Sequence, residues 1–418
     1  MDKKFPRQNI TITQQKAPTM NRRQFITTSL TTAAAFTLIK PSLVRGTETN
    51  SKIRLGLIGC GGRGKWIADL FAAHGGYQIA GAADYFQERA DAVATKHQLT
   101  PKQTFTGLKC AEKMIAKGGL DAVAIISPPY FHPEQAAAAV TAGLHVYLAK
   151  PLAVDVPGCL AIRKTGLDAG KKGIVFLVDF QTRADQYFIE AMRRVHDGAL
   201  GTMVFGEALY HAGRLGKHGE DKTPEGRLRN WVFDKTLSGD IIVEQNIHTL
   251  DVMNWAMNNV PPVRCNGLGG RKGRLDVGDC WDYFTCVYEY PNKVGVTFSS
   301  RQYDVDAPGG IINKMYGTKG ALLTNYGGDV MIRGGEGTFY RGGKSPGIYK
   351  DGAVANIKTF HESILAKNVA NPTLEPSVMS NLVAIMGRMA AYTGNTVTWD
   401  DVMKSTETLD ANLATLKA

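Results

Sequence analysis

The sequence predicts an α/β chain: a parallel-sheet domain of alternating strands and helices, then an α+β domain on a largely antiparallel sheet. Three observations predict it. Apolar runs alternate with helical periodicity from about residue 52 to 180. A glycine-rich turn joins the first of these runs to its helix. Beyond Met203, β runs follow one another with few helices between them. The 418 residues allow two or three domains with sizeable cores. A content of 44% hydrophobic and 21% charged residues excludes a disordered or collagen-like chain. Six cysteines exclude a disulfide scaffold, and none forms a C-x-x-C pair, so no zinc ribbon or other metal site is expected.

The net charge of +11 is unevenly placed: residues 1–50 carry eight basic residues against Asp2 and Glu48. The other 368 residues therefore hold only +5. No basic stripe with interleaved aromatics is visible, which argues against a nucleic-acid partner. Within residues 1–50, Arg22-Arg23 precedes a Thr- and Ala-rich apolar stretch, Phe25 to Ile39. That pattern reads as a twin-arginine export leader, with a periplasmic or envelope location expected. An amphipathic or disordered arm is the other reading. The stretch is short for a membrane span, which needs roughly 20 residues. No small-x-small cleavage pattern follows at Pro41 to Gly46, so an uncleaved leader serving as an anchor is the one membrane attachment expected.

The first domain, expected over 51–180, opens with the apolar run Ile53 to Ile58. Gly59-Cys60-Gly61-Gly62-Arg63-Gly64 follows at once, then a helical face of Trp66, Ile67, Leu70 and Phe71. The next run, Tyr77 to Ala83, ends on Asp84. Strand, glycine loop, helix, strand and acid in this order are the fingerprint of a Rossmann dinucleotide-binding domain. Gly59 permits the tight turn, Gly61 lets a pyrophosphate approach the backbone, and Gly64 lets helix and strand pack. The helix N-terminus offers unpaired N–H groups to phosphate. Asp84 can accept from both ribose hydroxyls and would repel a 2′-phosphate, so NAD is expected over NADP. Arg89 is the residue that would accommodate that phosphate. Gly62 and Arg63 belong to the same loop, where Arg63 reads either as a phosphate contact or as a solvated side chain.

Further strands are expected at Asp121 to Ile126, Leu144 to Ala149 and Gly173 to Val178, with helices at Glu134 to Ala142 and Pro157 to Ala169. Ligands in such sheets bind beyond the carboxyl ends of the strands. Ser127, Pro128 and His132 lie there, as does Lys150 before Pro151. These are therefore candidate cofactor-binding residues. Lys150 reads either as a solvated strand cap or as a catalytic group.

In the second domain, expected over 181–418, β runs occupy Met203 to Tyr210, Trp281 to Tyr290, Lys293 to Ser300, Ile311 to Tyr316, Ala321 to Asn325 and Val330 to Arg333. Hairpin turns are expected at Pro291-Asn292 and Gly327-Gly328. Helices return at Thr359 to Lys367 and Ser377 to Tyr392. One helix, Ser238 to Trp255, interrupts the β pattern and sets Glu244 and His248 four residues apart on one face, with Asp251 next. The pair reads either as a surface ion pair or as an acid and an imidazole arranged for general-base work.

With these features together the chain resembles the Gfo/Idh/MocA family, the glucose-fructose oxidoreductase and inositol dehydrogenase group, over about residues 52–400. The resemblance rests on the glycine loop with Asp84, on Leu148-Ala149-Lys150-Pro151 against the family's E-K-P strand end, and on Glu244 to His248 against its D-x-x-x-H helix. Ala149 stands where the family has glutamate, and Glu244 where it usually has aspartate. The resemblance implies a Rossmann domain, a second domain with a large open sheet, a nicotinamide cofactor and a sugar, glycoside or cyclitol substrate. A homodimer or homotetramer formed through the open sheet is implied too, as are C-terminal helices packing back on the first domain. It further implies oxidation of a secondary ring hydroxyl, with C3 expected, to a ketone. His248 would be the base, Glu244 its orienting acid, and Lys150 the cation beside the same oxygen. Arg183, Asn230 and Trp231 are candidate sugar contacts, although Trp231 also reads as core. Two other readings stay open: an NAD-dependent glycoside hydrolase that oxidises the sugar transiently, and a catalytically silent sugar-binding protein.

Overall fold

The computed structural model describes residues 52–335 and 337–418, and Lys52–Ala418 forms one compact unit. Arg22, Arg23 and the apolar run after them lie outside the described residues. The first sheet has six parallel strands: β1 (Ile53–Ile58), β2 (Tyr77–Asp84), β3 (Thr104–Thr106), β4 (Ala122–Ile125), β5 (His145–Ala149) and β6 (Phe176–Asp179). Their order is β3-β2-β1-β4-β5-β6. The order reverses between β1 and β4, which opens a crevice at the carboxyl ends of the strands. Both faces are covered. Phe71 of the helix Gly62–His74 packs edge-on against Tyr77 and Tyr147, and Tyr147 meets Phe360 of the helix Ile348–Leu365. On the other face, Ala136, Ala139, Cys159 and Ile162 pack from the helices His132–Thr141 and Val156–Lys171. Burial on two sides is why β4 reads as an unbroken apolar run.

The second sheet comprises β7 (Met203–Ala212), β8 (Arg264–Gly270), β9 (Tyr283–Tyr290), β10 (Val294–Gln302), β11 (Gly310–Gly317), β12 (Gly320–Asn325), β13 (Asp329–Gly334), β14 (Tyr340–Lys344) and β15 (Val397–Thr398). The order is β14-β13-β12-β11-β7-β10-β9-β8-β15, antiparallel throughout except for the parallel pair β7 and β10. One face is core: Phe284, Cys286, Tyr288 and Tyr290 of β9 are buried while Thr285 and Val287 are exposed. The helix Ile247–Ala256 covers β7 and β11, and Leu374–Thr393 covers β8 and β9. The opposite face presents Leu268, Thr285, Val287 and Thr297 to solvent. The helix Ile348–Leu365 crosses back onto Gly62–His74, where Trp66 and Tyr349 stack at 4.7 Å.

The single helix expected over Ser238 to Trp255 is instead three short ones: Lys235–Ser238, Ile241–Glu244 and Ile247–Ala256. Asp240, with φ 76°, separates the first two, and Gln245 and Asn246 separate the last two. This break changes the site. Strand β8, Arg-Cys-Asn-Gly-Leu-Gly-Gly, was not expected, because three glycines in seven residues hide its β character. It is held by pairing with β9 and by the helix lying on it.

Candidate active site

The glycine loop sits at the β1 end of the crevice. Gly59 has φ +89°, and a Cβ there would lie 2.6 Å from the Ser127 nitrogen. A Cβ on Gly64 would overlap the Gly59 carbonyl oxygen, so helix and strand close only over glycine. Gly62 faces open space, and Gly61 would meet only Arg89 Nη1, at 3.8 Å. The loop thus presents a bare backbone concavity at a helix N-terminus whose N-cap, Gly61, has no side-chain capping bond. Asp84 ends β2, buried. Its Oδ2 accepts from Cys60 N at 2.7 Å and its Oδ1 from Phe86 N at 2.9 Å. Burial pushes its carboxyl above the usual range, against those two bonds and the Arg89 charge. A cleft runs past Gly59, Gly61, Asp84, Arg89, Ser127 and Pro128. A dinucleotide fits these residues: concavity for the pyrophosphate, acid for the ribose, and apolar walls from Phe86, Leu108 and Leu228 for a base. Arg89, stacked 4.6 Å from the Phe86 ring, lines the same cleft.

Two expected cofactor residues are engaged elsewhere. Arg63 Nη2 donates to Asp179 Oδ2 at 2.6 Å, and its guanidinium lies 5.4 Å from the Trp66 ring and 5.0 Å from the Tyr349 ring. The loop is thereby tied to the end of β6 rather than offered to phosphate. His132 is fully buried, with Nδ1 2.9 Å from the Pro151 carbonyl and Nε2 2.8 Å from the Ser127 carbonyl. Burial lowers its pKa to about 4. It braces the loop after β4 against the loop after β5 and does not face the cleft.

Lys150 ends β5 and points at the broken helix. Its Nζ donates to the Glu244 carbonyl at 2.5 Å and to Glu244 Oε1 at 3.3 Å. The helix break turns Glu244 to this lysine; no hydrogen bond joins it to His248 among the described residues. Asp251, expected next on the same face, instead accepts from Arg183 and from Ser380. His248 is buried near both Lys150 and Arg63. Burial first, then those two positive charges, hold its imidazole well below its ordinary pKa. Burial also lowers Lys150, opposed chiefly by the Glu244 charge. The arrangement is a neutral imidazole beside a paired cation at the carboxyl ends of β5 and β6.

The three candidate sugar contacts have partners of their own in the fold. Arg183 pairs with Asp251 at 2.8 Å, donates to Asn259 and lies over the Trp255 ring, so its guanidinium is committed to the fold. Asn230 accepts from His218 N and donates to the carbonyls of His218 and Gly226, which uses both ends of its amide. Trp231 lines the dinucleotide cleft rather than the region of His248. Sequence reasoning missed Asp179, although an acid ending an apolar run is the signal that found Asp84. It also missed Thr182 and Tyr326, which pack around His248. Their hydroxyls and His248 Nδ1 are buried without hydrogen-bond partners among the described residues. No local motif marks them, because they meet only in the fold.

Comparison with known proteins bears on the family and the fold. Residues 53–177 match the oxidoreductase family with an NAD-binding Rossmann fold, and residues 188–323 match the GFO/IDH/MocA C-terminal domain. The chain is 27% identical over 293 residues to a myo-inositol dehydrogenase of Streptomyces leeuwenhoekii, covering 68% of this chain and 81% of the relative. It is 24% identical over 208 residues to an inositol 2-dehydrogenase/D-chiro-inositol 3-dehydrogenase of Halalkalibacterium halodurans, spanning 50% of this chain and about half (53%) of that relative. The structure of a myo-inositol 2-dehydrogenase from Lactobacillus plantarum shares the fold, with TM-score 0.65 at 20% identity over 83% of this chain and 99% of that one.

Proposed function

The chain belongs to the Gfo/Idh/MocA oxidoreductase family, and we propose that it is an NAD-dependent dehydrogenase oxidising a secondary ring hydroxyl of a sugar, glycoside or cyclitol to a ketone. What carries this reading is the buried imidazole of His248 under the charge of Lys150, itself held by Glu244, in the same unit as a glycine cradle and Asp84. Gly59, Gly61, Gly62 and Gly64 would hold the pyrophosphate and Asp84 the adenosine ribose, and bound NAD would supply the two-electron acceptor. His248, kept neutral by burial and by the Lys150 and Arg63 charges, takes the hydroxyl proton. Lys150, held by Glu244, stabilises the oxygen as negative charge develops on it. Glu244 thus acts on the cation rather than on the base. For a pyranose, C3 is the carbon we assign. The inositol dehydrogenases among the relatives support a polyhydroxylated ring as substrate.

The test is a screen of myo-inositol, anhydrosugars and pyranosides, read at the NADH absorbance, with an aryl glycoside as a separate arm. Formation of NADH with keto product supports the proposal. Free sugar released from the aryl glycoside without net NADH would identify a glycosidase instead. Silence in both arms, with NAD bound, would point to a binding protein. Export rests on Arg22-Arg23 and would place the enzyme in the periplasm or envelope. Assembly as a homodimer or homotetramer is supported by the sheet face left open among the described residues, where Phe205 stacks on Tyr316 at 4.5 Å and Leu268 and Val287 are exposed.

A further inference from the structure

The segment Ser405–Ala418 has no regular secondary structure, yet it buries Ala411, Leu413 and Leu416. These three join an apolar cluster with Phe86, Leu228 and Leu237, with Tyr85, Leu108, Phe131 and Trp231 packed around it. Phe86, Leu108, Leu228 and Trp231 are also walls of the dinucleotide cleft. The walls have two origins. Phe86 and Leu108 follow strands of the parallel sheet, whereas Leu228 and Trp231 stand between β7 and β8 of the second. The segment is bonded to both. Leu108 N donates to the Lys417 carbonyl at 2.9 Å, and Arg227 Nη1 donates to the Ala411 carbonyl at 3.3 Å. A third tie, Leu409 N to Asp155 Oδ2 at 3.0 Å, fixes its start at the helix after β5.

We infer that residues 405–418 are a clasp that retains the dinucleotide, by stapling the cleft wall of the parallel sheet to the wall supplied by the second domain. Separating the two walls to release a ligand would break the Leu108 and Arg227 bonds and expose Leu413 and Leu416. The clasp touches the backs of the walls rather than the ligand, so its residues position and do not catalyse. A retained cofactor is what an enzyme working outside the cytoplasm requires, since NAD is not resupplied there. The inference rests on the proposed reading of the cleft as an NAD site, and the experiment separates the two.

NADH is loaded on the full chain, on a chain ending at Lys404, and on the double variant Leu413→Ser/Leu416→Ser. Its release is then followed by stopped-flow displacement with excess NAD, read as energy transfer from tryptophan. Thermal midpoints are recorded without nucleotide. The expected result is release accelerated about tenfold or more in both altered proteins, with association changed less, as for most losses of packing around a bound ligand. If the shortened chain does not fold, the double variant decides alone. Release within twofold of the full chain in a folded double variant overturns the clasp. Failure of the unaltered chain to bind NADH overturns the cofactor reading, and the clasp with it.

Discussion

Replacing Glu244 by glutamine separates its two candidate roles, because the lysine stays held by the main chain. Lys150 Nζ keeps its 2.5 Å bond to the residue 244 carbonyl, so the substitution removes a charge 3.3 Å away with little change of position. Two unit charges at that distance attract by about 5 kcal/mol at an effective dielectric constant of about 20, before desolvation is subtracted. A net charge-assisted bond is worth about 1.5–3 kcal/mol, and one pKa unit is 1.36 kcal/mol, which gives a shift of about 1–2 units. The sign follows from the causes. Burial lowers the lysine and Glu244 raises it, so Glu244→Gln leaves Lys150 lower still. The cation is then lost at lower pH, and the alkaline limb of the kcat/KM profile moves acidward by about 1–2 units. The assay is that profile, for whichever ring alcohol reduces NAD, in both proteins. An unmoved alkaline limb with a displaced acid limb would show that Glu244 acts on His248, and would refute the reasoning.

Asp84→Ser removes the acceptor expected on the adenosine ribose. NAD should bind about 10- to 100-fold more weakly, from the 1.5–3 kcal/mol of charged hydrogen bonds, and NADP should gain relative to it, as titrations of both nucleotides will show. Arg183→Ala leaves the fully buried Asp251 carboxylate uncompensated. It should lower unfolding free energy by about 3–5 kcal/mol with KM nearly unchanged, whereas a large rise in KM at normal stability would restore Arg183 as a sugar contact. Arg22→Lys with Arg23→Lys should keep folded protein in the cytoplasm, so undiminished recovery from the envelope fraction would count against export.

The dinucleotide half of the molecule was legible because its demands are local. Gly59 turns at φ +89°, Gly64 closes on the Gly59 carbonyl within the same turn, and Asp84 stands at a strand end, so spacing reveals them, although the approach of Gly59 to Ser127 is made only in the fold. Six strands of the antiparallel sheet were legible through alternation, whereas glycine-rich β8, β14 and the two-residue β15 were not. The substrate half was less so. The i, i+4 spacing of Glu244 and His248 implies a shared face only if the helix is continuous, and the break at Gln245-Asn246 sends Glu244 to Lys150. Arg183 and Asn230 have the residue types of sugar ligands, but nothing in the chain between residues 183 and 251 announces that Arg183 will meet Asp251. Residues 405–418 carry too little periodicity to predict any structure. Their role emerges only where Leu413 and Leu416 reach Phe86, more than 300 residues earlier in the chain.

The proposed chemistry turns on the proton taken by His248. Single-turnover reduction of bound NAD by an accepted ring alcohol, compared between the unaltered enzyme and His248→Ala, isolates that step from binding and release. The expected result is unchanged NAD affinity and reduction slowed by about 10²–10⁴, the usual worth of a general base. Reduction at a near-normal rate in His248→Ala would contradict the account and return His248 to a purely structural place beneath Tyr326.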